Sequence, residues 1–220
     1  MTTPEMPKDR PPDGTGRFLD FASHPLWDDL LAVAPETASE KSGADFRREA
    51  EGLVYSLTFL GGTYILKSAG RAAFPPPGRP EPAYETKTLL LAYLAKAASG
   101  PSPGLSGREI GPHSLPSGDL FFKGPHELPK APLAAAFGDD PEALARASAA
   151  IGAERRGPLS WKARVLPNVE VYWYIEPADD EFPAEARYNF DSNIRYYLTF
   201  DMIFYLTLLL AERLIALKGA

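Results

Sequence analysis

The spacing of apolar residues changes several times along the chain, and each change marks an element. Phe18, Phe21, Leu26, Trp27, Leu30 and Leu31 fall at roughly helical spacing. Pro25 forces a restart there, because proline is tolerated in a first helical turn but not in a helix interior. A second short helix begins at Pro35, carries Ala38 and stops near Gly43. The period then drops to two. Leu53, Tyr55, Leu57 and Phe59 alternate up to Gly61-Gly62, and Tyr64 and Leu66 alternate after it. Two glycines supply the positive φ angles of a two-residue hairpin turn. That turn predicts Phe59 opposite Tyr64 and Leu57 opposite Leu66, on one buried face.

Five prolines between Arg71 and Pro82 predict a stiff loop. Helical spacing returns over Tyr84–Ala98, where Leu89, Leu90, Leu91, Tyr93, Leu94 and Ala97 form the apolar side. Ser99–Gly118 is rich in Pro, Gly and Ser and predicts a long loop with a short strand at Gly107–Ile110; loops of this length in compact domains usually carry function or move. Pro132–Phe137 predicts a short helix. Asp140 as N-cap, Pro141 at the first helical position and Gly152 beyond the end frame another, which presents Leu144, Ala147 and Ile151.

Period two returns in the last third. Trp161, Ala163 and Val165 alternate with Lys162 and Arg164, and Val169, Val171, Trp173 and Ile175 with Glu170, Tyr172, Tyr174 and Glu176. A three-residue loop, Leu166-Pro167-Asn168, keeps both apolar sets on one face, with Asn168 suited to a left-handed conformation. It sets Trp161 opposite Trp173 and Arg164 opposite Glu170. A third strand spans Ala184–Phe190. The run Met202–Ala211 is almost wholly apolar, with Thr199 as N-cap and Asp201 in the first turn. A helix hydrophobic all round is one the rest of a fold packs around. The pattern predicts an α+β fold: an antiparallel sheet built from the two hairpin segments, packed by helices including a buried C-terminal helix. Residues 1–16 read as a disordered tail, being polar and Pro-rich, and 17–220 as a single domain.

Composition narrows the chemistry. A net charge of −6, without a dense basic patch, argues against a nucleic-acid binder. The chain has no cysteine, which excludes disulfides, thiolate catalysis, Cys-ligated zinc and a self-held iron–sulfur cluster. Phe200–Leu217 contains Asp201, Glu212 and Arg213, and its uncharged run is shorter than the roughly 20 apolar residues of a membrane span. No signal-peptide-like apolar stretch opens the sequence, so the expected location is cytoplasmic. GxGxxG, GxxxxGK[ST] and HExxH are all missing.

Several of these stretches, in this order, resemble the domain-of-unknown-function 3786 family, found mainly in anaerobic bacteria and archaea. They are the hairpin Leu53–Leu66, Leu89-Leu90-Leu91-Ala92-Tyr93-Leu94, Phe137-Gly138-Asp139-Asp140-Pro141-Glu142, Leu166-Pro167, Asp180-Glu181-Phe182-Pro183, and Phe190-Asp191-Ser192 followed by Tyr197-Leu198. The resemblance covers roughly residues 25–217. Some members look like fusions behind a four-cysteine iron–sulfur domain similar to that of corrinoid iron–sulfur proteins. The resemblance implies an accessory role in anaerobic cofactor or one-carbon metabolism, with a protein partner that carries any iron–sulfur or corrinoid cofactor. Together with the absent catalytic signatures it points to a non-enzymatic ligand- or cofactor-binding accessory protein. It names no catalytic residue.

The candidate site is the corner Asp191-Ser192-Asn193, next to Tyr196 and Tyr197 and facing the 99–118 loop. Small polar side chains at a strand-to-helix junction can cradle a ligand, or they can bond the nearby backbone to make the turn. His113 and His126 form a second candidate pair, in which either is an axial ligand to a haem or corrinoid or both are surface residues; a flavin is the other cofactor considered. Glu170, Tyr172, Tyr174 and Glu176 make a face that binds a planar ligand or is a ladder of ion pairs. Asp179-Asp180-Glu181 lacks the patterned oxygens of a calcium loop. Two alternatives to the accessory role stand beside it: a carboxylate enzyme with Asp191 and Glu176 as acid and base, and a structural subunit of a larger complex.

Overall fold

The structure is a computed structural model in which residues 20–219 are described; the expected tail, residues 1–16, lies outside them. The architecture is α+β, but the two hairpins do not share one sheet. Among the described residues they lie in two antiparallel sheets. The first runs β1 (Asp45–Glu49), β2 (Gly52–Phe59), β3 (Gly62–Lys67), β4 (Ala72–Phe74) in chain order. The second has the order β5 (Glu109–Ile110), β9 (Glu185–Asp191), β8 (Val169–Glu176), β7 (Ser160–Leu166), β6 (Glu154–Gly157). They meet where the Leu60 N–H donates to the Val165 carbonyl at 3.3 Å.

The first hairpin keeps the expected buried face and slides its register. Leu57 pairs with Tyr64, Tyr55 with Leu66 and Phe59 with Gly62, so the turn residues are Leu60-Gly61, at φ 46° and 71°, rather than Gly61-Gly62. A tertiary contact decides this. The Leu60 side chain is buried, and its carbonyl accepts from the Arg79 guanidinium at 3.0 Å. A Cβ on Gly61 would come within 2.8 Å of Ile151 Cα. Packing therefore overrides the usual exclusion of leucine from the left-handed region.

The second hairpin has the expected register, with Trp161 opposite Trp173 and Arg164 opposite Glu170. A bulge between Arg164 and Leu166 lets Leu166 pair with Val169. Pro167-Asn168 are left as the turn, and Asn168 is not left-handed. Its backbone N–H donates to the Tyr93 hydroxyl (3.1 Å) and its side-chain amide to the Lys41 carbonyl (3.0 Å). These two bonds fix the turn without a positive φ.

Helices α1 (Leu26–Leu31), α2 (Pro35–Ser42), α3 (Tyr84–Ser99), α4 (Gly118–Phe121), α5 (Lys130–Phe137), α6 (Pro141–Ala150), α7 (Ile194–Tyr197) and α8 (Phe200–Ala216) complete the described fold. Capping follows the sequence: the Asp140 carboxylate accepts from the Ala143 N–H, and the Thr199 hydroxyl from the Met202 N–H. The central role expected of the closing helix falls to α3, whose Thr86, Leu90, Leu94 and Ala97 are buried along with Thr88, Leu91, Tyr93 and Ala98. It packs against α1, α2, α7 and α8. Helix α8 buries one face, Ile203, Leu206, Thr207, Leu210, Ala211 and Leu214, and leaves Met202, Tyr205, Leu208 and Leu209 half-exposed. Among the described residues no helix is long and apolar enough to cross a membrane.

Candidate functional site

The Asp191 corner forms because β9 ends there and the chain turns directly into α7. Asp191 is 1% exposed, and four donors surround its carboxylate. Oδ1 accepts from the N–H groups of Ser106 (3.1 Å) and Asn193 (2.9 Å). Oδ2 accepts from the Ser106 hydroxyl (2.9 Å) and the Gly107 N–H (2.8 Å). Around it, the Ser192 hydroxyl donates to Ser106 Oγ (2.9 Å), the Asn193 amide to the Gly104 carbonyl (3.0 Å), and the Gly104 N–H to the Tyr197 hydroxyl (2.7 Å). The corner and Tyr197 clamp the 99–118 loop. Tyr196 stands apart from this set, 45% exposed.

The clamp sets what the loop does next. Directly after Gly107, β5 pairs along β9, with Glu109 opposite Asp191 and Ile110 opposite Phe190. Gly111, Pro112 and His113 then form one wall of a cavity of about 300 Å³. Phe122, Leu128 and Lys130 supply the facing wall, and Glu185–Asn189 of β9 the floor. Phe122, Leu128, Ala186 and Tyr188 make its apolar part and are all buried. The Tyr188 hydroxyl donates to the Pro129 carbonyl at 3.3 Å, and burial pushes it well above the usual tyrosine range. His113 is exposed at the rim.

The structure places His126 elsewhere. Its ring stacks on Phe121, with centroids 4.5 Å apart, and meets the edge of Phe204 at 5.6 Å. Phe121 stacks in turn on Phe200, over which the Arg195 guanidinium lies at 3.9 Å. His126 thus belongs to an aromatic stack at the start of α8, whereas His113 faces the cavity.

On the other face of the second sheet, Glu170, Tyr172 and Tyr174 are tied to their neighbours. The Tyr172 hydroxyl donates to Glu170 at 2.6 Å. Lys162 bridges Glu170 (3.5 Å) and Glu154 (3.3 Å). Tyr174 donates to Glu109, which also accepts from the Asn189 amide at 2.6 Å. Burial first, then the bond to Glu109, pushes the Tyr174 hydroxyl up to about 12. Glu176 pairs with Arg187. This is a ladder of cross-strand pairs.

The same register separates the carboxylates considered as an acid and base. Glu176 lies opposite Glu185 at one end of β9, and Asp191 ends the strand at the other. At about 3.3 Å per residue they stand roughly 20 Å apart. Among the described residues, no group of three His, Asp or Glu side chains is placed to hold a metal ion.

Sequence reasoning reached His113 and the clamp but not the other walls of the cavity. Asn189 and Arg187 were accessible from the parity of the third strand. Phe122, Leu128 and Lys130 were not, because they sit in a segment with no clear period. A family model described as a domain of unknown function, DUF3786, matches residues 34–213. No curated protein and no solved structure matches the chain.

Proposed function

The chain belongs to the domain-of-unknown-function family DUF3786, and on that premise we propose that it is a non-enzymatic accessory protein that binds a small ligand in the cavity beside His113. The observation that carries this reading is the cavity itself: a buried apolar part, with His113, Lys130 and Asn189 as polar groups around it. That combination suits ligand binding. At about 300 Å³ it lies at the small end of ligand sites. A whole haem or corrinoid ring is much broader and does not fit, so His113 is not assigned as an axial ligand. A flavin ring or a smaller planar molecule suits the space better.

In this reading Asp191, Ser192, Asn193 and Tyr197 position the wall rather than touch the ligand, and Tyr196 and His126 lie outside the site. An iron–sulfur or corrinoid cofactor would come from a protein partner, as the family resemblance implies for a chain without cysteine. A cytoplasmic, anaerobic setting and a single domain over residues 17–220 belong to the same proposal. One buried core cluster running from Phe21 to Leu214 supports the single domain. A second reading, a subunit of a larger complex, draws on the half-exposed apolar flank of α8, Met202, Tyr205, Leu208 and Leu209.

Native mass spectrometry of untreated protein, with thermal shifts against flavin mononucleotide, haem and cobalamin, tests the proposal. The expected result is a retained small molecule or a stabilising flavin-like compound, with the effect lost in His113→Ala. No bound mass, no shift with any of the three compounds and no partner on pull-down would sink it.

A further inference from the structure

We propose that a second cleft, sharing no residue with the His113 cavity, binds the anionic head of a small organic acid between Arg79 and Arg213. The cleft encloses about 360 Å³ between the β2–β3 turn, the proline-rich segment before α3, and α8. Arg213 reaches it from the last turns of α8. Its Nε is shut off from solvent and has no hydrogen-bond partner, and among the described residues no carboxylate pairs with it. Arg79 donates one N–H to the Leu60 carbonyl at 3.0 Å and has no ion-pair partner either.

Two guanidinium groups thus line one small space, and no carboxylate of the described chain pairs with either. Burial first, then the Arg79 charge, holds Arg213 below its usual range. The acidic residues of the cleft do not relieve this. Glu81 is already paired with Lys87 at 2.6 Å. Glu212 forms no ion pair with either arginine, and burial and the charge of Glu85 push it upward.

Buried donors in native proteins nearly always find an acceptor. Here the fold supplies none to Arg213 Nε, and an anionic ligand can. A guanidinium matches a carboxylate or phosphate through two parallel N–H bonds. Phe59, Pro80, Pro82 and Leu209 give the cleft an apolar wall, which suits a short hydrocarbon body behind the head. Carboxylate and phosphate heads share this chemistry, and the probes separate them.

The experiment is isothermal titration calorimetry of the full chain at fixed ionic strength, with octanoate, octyl phosphate and octan-1-ol as probes. Saturable binding of at least one anion, and none of the alcohol, is expected. Arg79→Gln and Arg213→Met should each weaken that binding tenfold or more with an unchanged circular dichroism spectrum, while His113→Ala leaves it intact and so keeps this site distinct from the other cavity. If Arg213→Met does not fold, Arg79→Gln decides alone. No saturable binding of either anion, equal binding of octan-1-ol, or wild-type affinity in the arginine variants would overturn the proposal.

Discussion

Asp191 and Arg213 are both drawn into the fold, and the fold treats them in opposite ways. The Asp191 carboxylate receives four hydrogen bonds from its own chain; Arg213 keeps a solvent-free Nε with no partner. A charge that the chain satisfies fully is a structural device, since its bonds have nothing left to offer a ligand. A buried donor left without an acceptor persists at a cost to stability, and such a cost points to something outside the chain. The contrast separates architecture from binding without reference to any motif.

The largest effect should come from removing the satisfied charge. Asp191→Ala leaves the Ser106, Gly107 and Asn193 donors without an acceptor and is expected to destabilise the protein by about 3 kcal/mol, read from urea unfolding. An unchanged midpoint would break the comparison at its firmer end. Removing the unsatisfied charge should act the other way. Arg213→Met keeps most of the stem's packing and is expected to stabilise the unliganded protein by about 1 kcal/mol, visible as a raised melting temperature in anion-free buffer.

The clamp also contains a titratable hydroxyl. Tyr197, which accepts from Gly104, is held above the ordinary tyrosine range by burial, as is Tyr93, whose ring lies 6.0 Å from it. A raised folded value means the contribution is intact below about pH 10 and lost as pH climbs through the folded value. Denaturant midpoints should therefore fall on the alkaline side, and fall less in Tyr197→Phe, which itself loses about 1 kcal/mol at neutral pH. The smallest effect belongs to His113→Ala. This exposed residue should change stability by less than about 0.5 kcal/mol while abolishing ligand retention.

Where burial was one-sided, the sequence was readable. The odd-numbered apolar set of Trp161–Ile175 gave the β7–β8 register, including Trp161 against Trp173, because a slip by one residue would turn every large side chain to the wrong face. Strands β1 and β6, Asp-Phe-Arg-Arg-Glu and Glu-Arg-Arg-Gly, were invisible for the converse reason. They are edge strands whose side chains are mostly exposed, so no alternation marks them. In β4 the strand falls inside a proline-rich segment that reads as loop. The closing helix reads as central from its composition, yet α3 holds that place; composition reports how apolar a helix is, not how many neighbours surround it. At the site, Asp191 stood out as a small polar residue at a corner facing the 99–118 loop, but nothing in that Pro-, Gly- and Ser-rich loop marked Ser106 and Gly107 as its partners. Arg79 and Arg213 carried no local signal, since two arginines so far apart acquire meaning through the cleft that joins them.

The turn at Leu60-Gly61 has a consequence for the hairpin as a separable piece. Inside the protein, a leucine at φ 46° is held by its buried side chain and by Arg79, neither of which belongs to the hairpin's own local code. As an isolated peptide, residues 52–67 would lose both restraints and should drift toward the Gly61-Gly62 turn that its glycines favour, sliding one strand along the other. The alignment seen here is thus imposed from outside the segment: the two strands agree on which side faces inward, and the remainder of the molecule tells them where to stop.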